Sequence, residues 1–166
     1  MPIRAKVEGG SRLQKKLQRI PRDARLEVSE SILTMALLVQ STAQRGIQKG
    51  PKTGRVYEKY DPRRTHRASA AGEFPATDTG RLVASIFANM DADGLGASVG
   101  TNLDYGTYLE FGTAAGLTGS LDAGAPGAGV GMAARPWLFP TFERLKPRIT
   151  RSVGAGVRKV LKRESR

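Results

Sequence analysis

The chain has 166 residues, the usual size of one domain and too short for two well-cored ones. Hydrophobic residues make up 39%, with 20 glycines and no cysteine. Part of the chain is therefore core-free loop, and disulfides, thiolate nucleophiles and Cys-based zinc sites are excluded. The net charge of +12 is segregated: residues 68–134 set Arg81 alone against Glu73, Asp78, Asp91, Asp93, Asp104, Glu110 and Asp122, so this centre is −6 and the two flanks together +18. Residues 143–166 alone hold nine Lys or Arg and two Glu. Such segregation suggests acidic partners, or head-to-tail contact between copies of the same chain.

The opening MPIRAKVEGG has no apolar stretch, and the longest apolar run, 35–39, is far short of a membrane span. These predict no signal peptide and no membrane partner, for a soluble protein assembled in a reducing cytoplasm. Residues 3–8 alternate as a short half-buried strand does. Ser11 caps a predicted short helix through Leu13 and Leu17. A long helix is predicted over 22–48, opened by Pro21 and broken at Gly50-Pro51. Its apolar stripe is Val28, Ile32, Met35, Ala36, Val39, Ala43 and Ile47, while Leu33, Leu37 and Leu38 lie off it. A helix apolar on more than one side is buried on more than one side, here by its own domain or by a neighbouring subunit.

Residues 50–76 show no hydrophobic period, many breaks and many charges, and read as a long extended arm. Asp78 or Thr79 caps a helical turn, and an antiparallel hairpin is predicted around 82–101, turning at Asp91-Ala92-Asp93-Gly94. Residues 102–111 suit a short helix ending at Gly112. The stretch 112–134 is Gly-rich and has no aromatic, so it cannot order itself alone. A basic helix is predicted over 140–163, with Leu138, Phe142, Leu145, Ile149, Val153, Val157, Val160 and Leu161 as its stripe and a kink or restart at Pro147.

No catalytic constellation is visible. His66 is the only histidine and sits among Arg63, Arg64 and Arg67; its nearest carboxylates in sequence are Glu58, Asp61 and Glu73, in the arm. One histidine and scattered acids give no metal-ligand spacing. GAPGAGVG lacks the Lys-Ser/Thr ending of a phosphate loop, so no nucleotide cofactor is expected. The rival to a structural role is non-specific DNA binding, suggested by a pI near 10.6. Against it, the aromatics are few (6%) and cluster in the acidic centre, where they cannot help basic residues stack on bases.

An ordered series runs through the middle of the chain. It comprises Gly50-Pro51 with Thr53-Gly54; His66-Arg67-Ala68-Ser69 with Gly72-Glu73 and Pro75-Ala76; and Asp78-Thr79-Gly80 with Leu82, Ser85 and Ile86. Val99-Gly100-Thr101, then Tyr105, Tyr108 and Glu110-Phe111-Gly112-Thr113, and finally Arg135-Pro136 with Leu138 and Pro140 complete it. This series resembles the neck and tail-completion family of long-tailed bacteriophages, lambda gpZ-like in role. The departures are the Gly-rich stretch at 114–131 and the very basic last helix.

The resemblance implies an α+β fold: a small antiparallel sheet of three or four strands packed by the long N-terminal helix and a C-terminal helix, with long extended loops. It implies one domain over 1–166, repeated six or twelve times around a ring at the head–tail junction of the virion. The implied partners are further copies of itself, adjacent neck proteins on the head-closure or adaptor side, the tail terminator or tail tube, and genomic DNA in the lumen. No enzyme activity and no cofactor are implied.

Candidate interface residues follow from both readings. Leu33 and Leu37 lie off the helix stripe. Tyr57, Tyr60, His66, Arg67 and Phe74 sit on the arm. Tyr105, Tyr108, Glu110 and Phe111 combine aromatic anchors with a charge, the mixture of an interface core. Arg135 and Trp137 stand before the last helix.

Overall fold

The computed structural model describes residues 4–8, 22–60, 62–113 and 131–164. The expected helix at Leu13 and Leu17 and the body of the Gly-rich loop, 114–130, lie outside them. In chain order the elements are β1 (Arg4–Glu8), α1 (Arg22–Lys49), β2 (Val56–Tyr60), β3 (Arg63–Arg67), α2 (Arg81–Ser85), β4 (Ile86–Met90), β5 (Gly96–Thr101), α3 (Asp104–Phe111) and α4 (Phe139–Glu164). The fold is α+β. A three-stranded sheet has the order β1-β5-β4, and β2 and β3 make a separate two-stranded one. β1 runs antiparallel to β5, with Arg4 opposite Gly100 and Glu8 opposite Gly96.

The chain groups into two compact units: unit 1 contains Ala43–Ile86 and Thr101–Pro140, and unit 2 contains Arg4–Thr42, Phe87–Gly100 and Thr141–Arg166.

In unit 2 the predicted stripe of α1 is the buried one. Val28, Ile32, Met35, Ala36 and Val39 are buried, as are Ala97 and Val99 of β5 and Ile149, Val157 and Val160 of α4. The three elements line one small apolar cavity through Ile32, Met35, Ala97, Val99, Phe142 and Ile149. Each fully buried aliphatic side chain contributes about 1.5–3 kcal/mol, which makes this the unit's main source of stability. At one edge Glu27 receives Lys159 at 3.1 Å and Arg163. The Lys159 hydrogen bond, against some desolvation, holds the Glu27 carboxyl below its usual range. The β4–β5 turn closes through Gly94 N–H to Asp91 O and Leu95 N–H to Asp93 Oδ1, both 2.9 Å. The sequence predicted a kink or restart at Pro147; there is no restart, since α4 runs through it as one helix. Apolar positions on either side, Phe142 and Ile149, face the same cavity, so packing carries the helix across the missing N–H.

In unit 1 the buried hydrophobic residues are Ala43 and Ile47 of α1, Leu82 and Val83 of α2, Ile86, and Trp137 and Leu138. The ring of Phe74 lies where a Cβ on Gly46 would stand, so this glycine admits the ring against α1. α3 ends at Gly112 as predicted: its φ is 75°, and its N–H donates to Tyr108 O at 2.8 Å. A Cβ there would also come within 2.7 Å of Met132 O, so both backbone and space require glycine.

Two expectations change. Gly80 occupies the N-cap position of α2; of the two expected caps, the Thr79 hydroxyl accepts the Arg81 amide at 3.5 Å, while the Asp78 carboxylate is drawn to cations elsewhere. The stretch at 50–76 is not a featureless arm, since it contains the β2–β3 hairpin.

Candidate assembly interface

The register of the hairpin sorts its side chains. Tyr57 pairs with His66 and Lys59 with Arg64, while Val56 pairs with Arg67, Glu58 with Thr65 and Tyr60 with Arg63. Successive pairs face opposite sides of a two-stranded sheet, so Tyr57, His66, Lys59 and Arg64 share one face. That face is pinned by Asp78. Its carboxylate receives Lys59 and, at 3.0 Å, Arg64, with His66 Nδ1 at 3.9 Å. The Lys59 hydrogen bond first, then the charges of Lys59, Arg64 and His66, hold the Asp78 carboxyl below the ordinary range against partial desolvation.

The base of the hairpin is held by a second carboxylate. Glu73 accepts the Thr53 hydroxyl at 2.6 Å and the amides of Thr53 and Ala70 at 3.1 and 2.8 Å. Those bonds, the Thr53 hydroxyl first, hold its pKa below the usual value. Neighbouring bonds close the same base: Gly54 and Ala68 bridge the strands at 2.9 Å, and the Ser69 hydroxyl takes the Ala76 amide at 3.2 Å.

The third carboxylate is Glu110, only 3% exposed. It accepts three amides at the start of α4: Trp137 at 2.8 Å, Leu138 at 2.9 Å and Phe139 at 2.8 Å. A helix N-terminus presents unsatisfied N–H groups, and Pro136-Trp137-Leu138 carries no side-chain acceptor for them. Glu110 supplies it from α3. Trp137 is fully buried, and its Nε1–H donates to Gly106 O at 3.3 Å. Glu110 and Trp137 were expected at an interface; both are buried within unit 1, the carboxylate by accepting the amides of residues 137–139 and the indole by its bond to Gly106 O.

The other candidates divide. Tyr57, His66, Tyr105 and Arg135 line one open cleft of about 490 Å³ in unit 1, with Asp78 in its wall. Arg135 is bound within the unit, Nε to Ser69 O and a terminal nitrogen to Ala133 O, both at 3.1 Å. Phe74 packs on α1 rather than outward. The opposite hairpin face, with Val56, Tyr60, Arg63 and Arg67, is exposed, and Tyr60 is 76% exposed. On α3, Tyr105, Tyr108 and Phe111 are exposed at 39, 54 and 58%. In unit 2, Leu26, Leu33 and Leu37 are exposed on α1, Leu37 at 47%. The aromatics are also not confined to the acidic centre: Tyr57 and Tyr60 stand on the basic hairpin, with the Arg55 guanidinium 5.4 Å from the Tyr57 ring centroid.

Among the described residues no group of three or more His, Cys, Asp or Glu is placed to hold a metal ion, and no helix is long and apolar enough to cross a membrane. Residues 11–112 match the HK97-gp10-like family, described as bacteriophage HK97-gp10, a proposed tail component. The chain belongs to this family. It is thus a tail-related structural protein of a bacteriophage, consistent with the neck and tail-completion resemblance. No curated protein and no solved structure matches the chain. The HK97-gp10-like match contains the Asp78 and Glu73 clamps and Glu110 itself, but ends before the amides that Glu110 caps. The Glu110 clamp therefore joins matched to unmatched sequence.

Sequence reasoning named Asp78 and Glu110 but missed the clamping role of each. Asp78 was read as a cap, and the acids nearest His66 in sequence were not those nearest in space. For Glu110 a signal existed in the uncapped start of the last helix.

Proposed function

We propose that the chain builds a ring at the head–tail junction of a long-tailed phage, completing the tail and joining it to the DNA-filled head around the DNA passage. Six copies form the ring, with twelve as the alternative. Its neighbours are a head-closure or adaptor protein on one side and the tail terminator or tube on the other. The observation that carries this reading is a pair of different exposed apolar surfaces: Leu26, Leu33 and Leu37 on α1, and Tyr105, Tyr108 and Phe111 on α3. A closed ring of identical subunits needs two unlike surfaces, since each copy meets its neighbours head to tail. Tyr and Phe clusters are also the residues that dominate such contacts. Family membership supplies the tail context.

The test replaces Tyr108 and Phe111 together by serine in the phage that encodes the chain. Both side chains are exposed, so the protein folds with its circular dichroism unchanged. Filled heads and tails then accumulate separately, and particle imaging of the wild type shows a ring at the junction. Normal infectious particles from the double variant, or a monomeric copy in the wild-type virion, would overturn the reading.

A further inference from the structure

The positive charge of the sequence is answered by acids in some places and not in others. In the hairpin, Lys59 and Arg64 meet Asp78, and Arg63 lies 3.9 Å from Glu58. In α4, Lys146 meets Glu143 at 3.3 Å, while Lys159 and Arg163 meet Glu27. Arg144, Arg148, Arg151 and Arg158 are all exposed and have no acid partner among the described residues.

Their spacing places them together. At 100° per residue, positions 144, 148, 151 and 158 fall within roughly 40° of one line along the helix. Ala155 occupies the one gap in the series and is exposed too. The buried Ile149, Val157 and Val160 lie on the opposite side. The result is a cationic ridge about 21 Å long, at 1.5 Å per residue over 144–158. No acid and no aromatic interrupts the line.

Helix chemistry does not account for the ridge. Cations near a helix C-terminus complement its dipole, which suits Arg158 and Lys162, but Arg144 and Arg148 stand in the N-terminal half, where they gain nothing from it. Like charges at spacings of three and four oppose the helix. A protein partner would leave a different mark, because its contact core would be aromatic or aliphatic. A single-sign, guanidinium-rich line with nothing to read bases matches a regular polyanion held through its phosphates.

We propose that the exposed ridge of α4 is a sequence-independent contact surface for the phosphate backbone of duplex DNA. The proposal deepens the ring reading by naming the surface that meets the DNA in the passage. It lies outside the family-matched residues 11–112.

The test measures binding of the purified full chain to a short mixed-sequence duplex by fluorescence anisotropy, from about 50 to about 200 mM salt. Four phosphate contacts predict a loss of about a hundredfold in affinity over that range, from a slope near −0.9 per contact. The Arg151→Gln/Arg158→Gln variant should lose only about tenfold, its slope shallower by about two contacts. Arg63→Gln/Arg67→Gln in the hairpin should keep the wild-type slope. Arg144→Gln/Arg148→Gln repeats the test should the first variant misfold by circular dichroism. A wild-type slope in both ridge variants overturns the proposal, and so does a loss of slope confined to the hairpin variant. Competition by polyglutamate or by anionic phospholipid vesicles as effective as by duplex of equal charge overturns it as well. Because binding is read on the free protein, a negative result leaves the ring to particle imaging, and a protein absent from the junction leaves this surface to be judged by the titration.

Discussion

The hairpin and α4 look alike in the sequence, each a run of arginines and lysines broken by few acids, yet the structure treats their charges in opposite ways. In the hairpin, three of the four strand cations, Lys59, Arg63 and Arg64, have an acid partner. Lys59 and Arg64 converge on Asp78, and Glu73 ties the strand bases together through Thr53 and Ala70. In α4 the arginines at 144, 148, 151 and 158 are exposed and have no acid partner among the described residues, while the helix's opposite face is buried in unit 2. Net charge alone therefore says little about partners; what matters is which cations already have an acid. Three carboxylates of the acidic centre, Glu73, Asp78 and Glu110, act as clamps within unit 1, so the centre is less of an acidic surface than its −6 suggests.

The largest expected effect of breaking this contrast comes from the clamp with no exposed part. Glu110→Ala strands three amides at a buried helix start and should destabilise unit 1 by about 3–5 kcal/mol, since each unsatisfied buried donor costs about 1–3 kcal/mol and the bonds are charge-assisted. Trp137 is the only tryptophan and is fully buried beside the clamp, so urea unfolding followed by its fluorescence reads this unit. A loss under about 1 kcal/mol would mean that water or another acceptor replaces the carboxylate.

How much of this was legible follows from what sequence patterns can register. The seven-residue stripe of α1 was readable because apolar periodicity reports one-sided burial, and all seven are buried. Gly112 was readable because a left-handed C-cap has a strong residue preference. The hairpin was invisible for a physical reason: VYEKY and RRTHR show no apolar alternation, because ion pairs to Asp78 and hydrogen bonds to Glu73 at its base hold it rather than a buried apolar face. Glu110 read as a surface charge because glutamate is almost never buried unless partnered, and its partners lie 27 to 29 residues away.

A smaller effect should come from the exposed clamps. Asp78→Asn removes the charge that holds Lys59, Arg64 and His66, and trypsin should then cut at Arg63, Arg64 and Arg67 faster than in the wild type while Trp137 fluorescence stays native. Acid should do the same by titration. The folded pKa values of Asp78 and Glu73 are lowered, so their contribution is complete above the unfolded values, near 4, and is lost as pH falls through the folded ones. Nuclear magnetic resonance of the Thr53 and Ala70 amides, which donate to Glu73, should show a midpoint below about 4.3, the ordinary glutamate value. A midpoint at or above it would show that the clamp is not formed in solution.

The smallest effect should come from the ridge, and its smallness is the point. If Arg148 and Arg151 were structural, replacing both by glutamine would cost stability as the clamps do. The geometry predicts otherwise: neither has an acid partner among the described residues, and both are exposed. Each also neighbours another arginine at a spacing of three or four, a repulsion of about 0.2–0.5 kcal/mol per pair that the change relieves. Glutamine and arginine have similar helix propensities, so the backbone is indifferent. Arg148→Gln/Arg151→Gln should therefore leave the urea midpoint unchanged or raise it slightly, by a few tenths of a kcal/mol. A loss above about 1 kcal/mol would show that the ridge is folded into the protein as the hairpin cations are, and the contrast between the two regions would vanish.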